Sequence, residues 1–324
     1  MTRSGTLFVV GLGPGARAAM TGQALEALRR SRVIVGYGGY FGGIADLVDG
    51  KECLALPLGE ERERARLAVE RALNGDDVCA ISSGDAGIYG MASLVLETLE
   101  AAGHNLDLEV AVVPGVSAVN ACAALLGAPL GHDFAVVSLS DLLTPWKWIE
   151  GRLAAAAEAD FVLALLNPRS PRRDWQFRRA QEILLRSRSP ETPVGIVRQA
   201  YRPGQSVEIT TLGRMSAATV DMFTTAIVGN SQTRRFGDKL VTPLAGYRRG
   251  KFPHHRPRGR RARLHRRGMA GGPPHDSRLW RCGSSPARLL PSRCRRRWRA
   301  SPATGNTPCN GCAHGRFGVE QDDP

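Results

Sequence analysis

Three stretches of this 324-residue chain put small and polar residues where an α/β sheet would bind a ligand: Gly11-Leu-Gly-Pro-Gly15, Ser82-Ser-Gly-Asp-Ala-Gly-Ile-Tyr-Gly90 and Val113-Pro-Gly-Val-Ser-Ala118. Each follows an apolar, β-branched run and breaks it. Glycines flanking an aspartate at a strand end leave backbone N–H and C=O groups bare, and the carboxyl edge of an open α/β sheet is where such folds hold ligands. Asp85 alone reads more readily as a helix N-cap than as a catalytic acid. With a second Pro-Gly break at another strand end, capping is an incomplete explanation, and the two ends read as one cleft. Gly11–Ala16 also fits the G-x-G-x-x-A dinucleotide fingerprint, so a nicotinamide-dependent oxidoreductase is an alternative. Pro14 stiffens that turn, however, and the run Val33–Val35 ends in Gly36-Tyr37 where a ribose-binding acid is expected.

The elements that must position these stretches follow from periodicity. Strands are expected at Thr6–Val10, Val33–Val35, Asp77–Ser82 and Glu109–Val113. Helices are expected at Thr21–Arg30, around Glu60–Asn74, after Gly87 through Ala102, and at Ser117–Leu126, with a glycine-rich loop over Gly36–Gly43. Alternating buried strands and amphipathic helices indicate an α/β domain with a largely parallel sheet. A second series has strands at Phe134–Leu139, Asp160–Leu166, Pro193–Arg198, Ser206–Thr211 and Phe223–Val228, and helices at Trp146–Ala157 and Arg173–Arg186. There strands follow one another more directly, which indicates a mixed sheet. The expected division is an N-terminal α/β domain over 1–130, a C-terminal α/β domain over 131–247 and a tail over 248–324.

The formal charge of +14 suggests an acidic partner until it is located. Residues 248–324 hold 19 Lys and Arg against four acids, so residues 1–247 carry a net charge of about −1. A neutral body argues against RNA or DNA as its partner. The tail is rich in Arg, Pro, Gly and Ser and poor in apolar residues, and is expected to be disordered. Cys309-Asn-Gly-Cys312 has zinc-knuckle or redox spacing, but His314 lies one residue too far for a haem-attachment motif and Cys282 and Cys294 are irregularly spaced, so no metal is expected. Cys53, Cys79 and Cys122 sit among apolar residues and read as reduced core thiols. Met1–Gly5 leads straight into a strand and no apolar run approaches about 20 residues, so neither a signal peptide nor a membrane span is expected and the body reads as cytoplasmic.

Seven motifs then occur in one order: Gly11-Leu-Gly-Pro-Gly15, Gly36-Tyr37 with Tyr40, Ser83-Gly-Asp85 with Ile88-Tyr89-Gly90, Val113-Pro-Gly115 with Ser117-Ala118, Leu166-Asn-Pro-Arg-Ser170, Arg198-Gln-Ala-Tyr-Arg-Pro-Gly204, and Thr225-Ala-Ile-Val-Gly-Asn230. In this the chain resembles the tetrapyrrole (corrin/porphyrin) methylases over about residues 6–247. The resemblance implies two α/β domains, usually in a homodimer, with S-adenosylmethionine folded into the cleft between them. It implies cofactor contacts from Pro14, Ser83, Gly84, Asp85, Ile88, Ser117, Ala118, Asn167, Ala200, Thr225 and Ala226. One departure is Ala86, where the family has proline after Gly-Asp; it removes no polar group. The implied reaction is methylation of the tetrapyrrole precorrin-3B at C-17 with ring contraction to precorrin-4, with another ring position as the alternative. Sulfonium chemistry needs alignment more than a strong base. Asp46 and Asp85 are candidate proton acceptors. Gly13, Tyr40, Tyr89, Arg169, Arg198 and Arg202 are candidates for substrate binding, with Arg172 and Arg173 as further guanidinium partners for a polycarboxylate.

Overall fold

The structure, a computed structural model, describes residues 5–103, 108–171 and 173–244. The expectation of disorder for 248–324, the cysteine and arginine clusters there, and Arg172 lie outside the described residues.

The first half alternates β1 (Thr6–Gly11), α1 (Gly22–Arg30), β2 (Val33–Tyr37), α2 (Gly38–Phe41), β3 (Glu52–Leu56), α3 (Glu61–Leu73), β4 (Val78–Ser82), α4 (Ala92–Ala101) and β5 (Glu109–Val113). Its five strands form one wholly parallel sheet in the order β3-β2-β4-β1-β5. Because strand side chains alternate faces, Leu7, Val9, Val35 and Val78 meet Ala68, Val69, Val95 and Leu99 of α3 and α4 on one side. Phe8, Val10, Ile34 and Ile81 meet Ala24, Leu28 and Ile44 on the other. Both faces are covered, so the strands read as unbroken apolar runs rather than as alternation. α1 starts where the Thr21 hydroxyl accepts the Ala24 N–H at 3.1 Å, an N-cap worth about 1 kcal/mol.

The second half contains α5 (Ala118–Leu126), β6 (Gly127–Ala128), β7 (Phe134–Ser138), α6 (Trp146–Glu158), β8 (Val162–Leu166), α7 (Gln176–Leu184), β9 (Pro193–Arg198), β10 (Ser206–Thr211), β11 (Thr224–Val228), β12 (Arg234–Phe236) and β13 (Lys239–Val241). Its main sheet runs β10-β9-β11-β8-β7, parallel only between β7 and β8. α6 and α7 cover one face. The other face takes α5, whose Val119, Cys122 and Leu126 pack on Val162, Ala164, Val197 and Ile227. The division expected at 130/131 falls between β6 and β7.

Two local expectations are corrected. The Gly36–Gly43 segment is not a loop; Gly36 and Tyr37 end β2, and the rest folds into α2 and a 3-10 turn over Gly42–Leu47 that buries Ile44 against the sheet. The periodicity also missed β3, a short, largely exposed edge strand that pairs with β2 and carries one charged residue, Glu52. Its anchor is tertiary: Arg71 grips both Glu52 oxygens at 2.5 and 2.7 Å and reaches Asp76 at 2.8 Å. A second tertiary tie is Arg188, 8% exposed, which donates to the carbonyls of Gly229 (2.7 Å), Ala156 (3.3 Å) and Phe161. Burial pushes its pKa down to about 10. Replacing it by methionine (Arg188→Met) takes the guanidinium donors from the Phe161 carbonyl after α6 and the Gly229 carbonyl after β11, while the Ala156 carbonyl keeps the Phe161 N–H at 3.1 Å. Unfolding by denaturant should show a loss of at least about 2 kcal/mol, since each buried unsatisfied group costs about 1–3 kcal/mol.

Candidate active site

The ends of β1, β4 and β5 converge on a junction made of backbone. Gly13 and Gly84 exchange N–H···O bonds at 3.0 and 2.8 Å, and the Leu12 N–H meets the Ser82 carbonyl at 2.8 Å. A Cβ on Gly115 would sit 2.1 Å from the Gly84 oxygen, and one on Gly11 would sit 2.6 Å from it and 2.8 Å from the Gly115 nitrogen. No side chain fits there. The Asp85 carboxylate closes the junction: Oδ1 accepts the Gly87 and Ile88 N–H groups at 2.8 and 3.1 Å, and Oδ2 accepts the Gly115 N–H at 3.0 Å. Both oxygens hold loops together. Ala86, which stands where the family has proline, is fully buried, and its carbonyl accepts the Ala92 N–H at 2.9 Å as α4 begins.

In front of this junction lies a chamber of about 300 Å³. Pro14, Ser83, Ile88 and Ala118 line it from the first strand-end loops and the start of α5, and Asn167, Ala200 and Thr225 from the second sheet. Cys122, Leu166, Met222 and Phe223 add an apolar surface, and Tyr37, Tyr40, Leu58 and Glu61 close the side nearest β2 and β3. Burial lifts the Cys122 thiol to about 11, with the Thr225 hydroxyl opposing, so it stays a neutral thiol at neutral pH. Burial also raises the Tyr40 phenol, against the pull of Arg64 and Arg202. Tyr37 meets Tyr40 edge to face at 5.2 Å.

Two further chambers open off the first. One of about 740 Å³ shares Leu58, Glu61, Tyr89, Asn167 and Met222 with it. Its own walls carry Ser138, Ser140, Ser170, Arg152 and Arg173 among apolar Val137, Leu142, Leu143 and Ile149. The other, about 380 Å³, shares Tyr40, Ser83, Gln199 and Arg202 and extends past Gly13 and Gly15.

Two side chains cross between the halves here. Arg202 donates through Nε to the Pro14 carbonyl at 2.6 Å and through Nη2 to the Ser83 hydroxyl at 2.7 Å, with its guanidinium 5.5 Å above the Phe223 ring. Gly15 leaves room for it, since a Cβ there would lie 2.3 Å from Arg202 Cγ. In the other direction the Tyr89 hydroxyl donates to the Val136 carbonyl (3.4 Å) and accepts the Ser138 N–H (3.2 Å) on edge strand β7. Asn167 donates to the Ser138 hydroxyl at 3.0 Å while its own carbonyl accepts Arg173 Nη1 at 2.6 Å.

Among the remaining residues singled out from sequence, Gly84 belongs to the junction, Ser117 caps α5 by accepting the Asn120 N–H at 3.2 Å, and Ala226 is buried within β11. Asp46 lies outside all three chambers and pairs with Arg17 at 2.5 Å on the surface, which holds its carboxyl below the usual range. Arg169 is exposed, and Arg198 Nε stands 3.6 Å from Asp221; neither lines a chamber. Sequence reasoning passed over Glu61, Cys122, Gln199, Met222 and Arg152. Glu61 had no signal, because one acid in Glu60-Glu-Arg-Glu63 looks like any charge in a helix's first turn.

A parallel sheet and a mixed sheet whose strand ends wall a small chamber, opening into a larger one with cations on its wall, define a two-sheet α/β enzyme for small molecules. The family model for Tetrapyrrole (Corrin/Porphyrin) Methylases matches residues 6–216. The chain belongs to that family. It is 48% identical over 247 residues to the cobalt-factor III methyltransferase of Priestia megaterium, 76% of this chain but 46% of that protein, so it spans about half of that relative's length. It is 47% identical to the probable cobalt-factor III C(17)-methyltransferase of Salmonella typhimurium, with 73% of this chain and 98% of that protein covered. A precorrin-3B C(17)-methyltransferase of Sinorhizobium sp is 41% identical, with 71% and 91% covered. The solved structure of the methyltransferase CobJ superposes with a TM-score of 0.70 at 40% identity, over 74% of this chain and all of that one.

Filling the small chamber should separate folding from binding. Cys122→Phe projects a ring into it from α5; equilibrium dialysis should show retention of S-adenosylmethionine falling at least about tenfold, with circular dichroism unchanged. Equal retention by the variant and the natural protein would show that this chamber does not hold that ligand.

Proposed function

We propose that this chain transfers a methyl group from S-adenosylmethionine to C-17 of a corrin precursor, precorrin-3B or its cobalt-bearing counterpart, with ring contraction. The observation that carries the reading is the shared wall: a small chamber of Pro14, Ala118, Ala200 and bare strand ends opens directly onto a chamber more than twice its volume with Arg152 and Arg173 on its wall. In-line methyl transfer requires donor and acceptor to meet face to face across such an opening. The names borne by relatives at 41–48% identity support the ring position.

The fit to the donor rests on the small chamber itself. At about 300 Å³ it lies at the lower end of the range for small-ligand sites, and its small residues let a ligand lie against backbone. Pro14, Ser83, Ile88, Ala118, Asn167, Ala200 and Thr225 would hold it. When bound, the sulfonium supplies a methyl group with a good leaving group already attached. The protein's part is then to orient and to exclude water. Arg202 keeps the Pro14 and Ser83 loops closed on one side, and Tyr89 fixes the β7 edge on the other. Apolar Leu142, Leu143, Ile149 and Met222 suit the faces of a macrocycle, and Arg152 and Arg173 suit its carboxylates. Among the described residues no helix is long and apolar enough to cross a membrane. A homodimer in the cytoplasm accompanies the proposal as the family's usual setting.

Incubating the full chain with S-adenosylmethionine and, in parallel, precorrin-3B and its cobalt form should give a product one methyl heavier from at least one of them by mass spectrometry. No mass gain on either, beside an active control enzyme, rejects the proposal. Retention of NAD in place of S-adenosylmethionine would favour the oxidoreductase alternative.

A further inference from the structure

Among the described residues lining the small chamber, Glu61 is the only carboxylate, and it lines the large chamber as well. The two acids that sequence offered as proton acceptors are engaged elsewhere: Asp85 in the loop junction and Asp46 with Arg17. Glu61 opens α3. Its Oε1 accepts Arg64 Nη2 at 2.7 Å and the Gly59 N–H at 3.2 Å, whereas Oε2 makes no hydrogen bond among the described residues. Arg64 is rigidly placed, its side chain 7% exposed and its Nη1 bound to the Pro57 carbonyl at 3.0 Å. One oxygen of Glu61 is thus fixed by the turn after β3 and the other is free, on the boundary of the two chambers.

We propose that Glu61 is the proton acceptor of the methylation, with Arg64 as its positioning residue. The inference rests on the methyl-transfer reading above. In that reaction the donor's C–S bond breaks with its electron pair left on sulfur, and a C–C bond forms at the ring carbon. The macrocycle, now carrying the positive charge that the sulfonium lost, must release one proton to become neutral. Glu61 takes that proton on Oε2. The other titratable groups on the small chamber's wall are Tyr37, Tyr40, Tyr89, Cys122 and Arg202, and Asp141, Arg152 and Arg173 lie along the large one. Asp141 is directed elsewhere, accepting Gln176 Nε2 at 3.1 Å with Arg173 4.0 Å away.

The test uses the full chain with Glu61→Gln and Glu61→Asp, each first checked for unchanged thermal unfolding and for S-adenosylmethionine retention within about twofold of the natural protein. Glu61→Gln should lower kcat by about a hundredfold or more, the usual scale of general-base catalysis. It should also abolish the acid limb of the kcat–pH profile, while Glu61→Asp restores part of the rate together with that limb. Natural-protein turnover with an unaltered rate and pH profile in Glu61→Gln overturns the assignment alone. If the natural protein binds the donor but methylates neither macrocycle, both the assignment and the methyl-transfer reading fall.

Discussion

Everything at the carboxyl edge of the parallel sheet depends on two glycines, Gly11 and Gly115, approaching the Gly84 carbonyl closer than any side chain allows. Gly11, Gly84 and Gly115 bring the ends of β1, β4 and β5 into direct backbone contact, and Asp85 ties the last of these loops to the others through Gly115. With no side chains filling the space, the loops beyond turn outward together and leave a chamber in front of them. The glycines and the aspartate are therefore not reagents. They set where the reagents can be.

The second constraint is that the chamber needs two sheets that are not continuous with each other. Arg202 and Tyr89 reach across in opposite directions, and both bond to backbone or to a small hydroxyl rather than to another charge. Such contacts fix distance without forming a buried ion pair, whose desolvation can cancel its attraction. The local backbone is under load. Tyr89, Asn167, Gln199 and Tyr201 all adopt positive φ, between 51° and 58°. For residues other than glycine this costs on the order of 1 kcal/mol each and persists where the surroundings over-determine it, as they do around binding sites. Only one other described non-glycine residue, Asp160, shares that conformation, and it is pinned by Ser231 away from the chambers.

Charge is distributed to match. The near-neutral body presents single guanidinium groups at chosen points on the chamber walls rather than a basic face. Arg173 shows the dual use of such a group: Nη1 braces the Leu139 and Asn167 carbonyls at the ends of β7 and β8 while the side chain also lines the large chamber. Burial lowers its pKa, with Asp141 only partly compensating. A cation held short of full compensation suits an anionic ligand.

What the sequence determined by itself was the set of elements and the cleft. Apolar β-branched runs broken by glycine and proline placed β1, β4 and β9 almost to the residue, because a strand buried on both faces has no choice of composition; β5 and β10, partly exposed edge strands, were legible from β-branched residues beside a Pro-Gly break. The ordered motifs led to the family, and seven of the eleven cofactor contacts that the resemblance implies line the small chamber. Edge strand β3 stayed hidden because it is largely exposed and its one charge, Glu52, is legible only beside Arg71, and Asp46 and Asp85 looked chemically available because Arg17 and the Gly115 N–H lie 29 and 30 residues away. Glu61 looked like an ordinary helix-start acid. Only tertiary structure decided which carboxylates were held in loop and surface contacts and which one lined both chambers, since hydrogen-bond partners and cavities are made by segments that the chain order keeps apart.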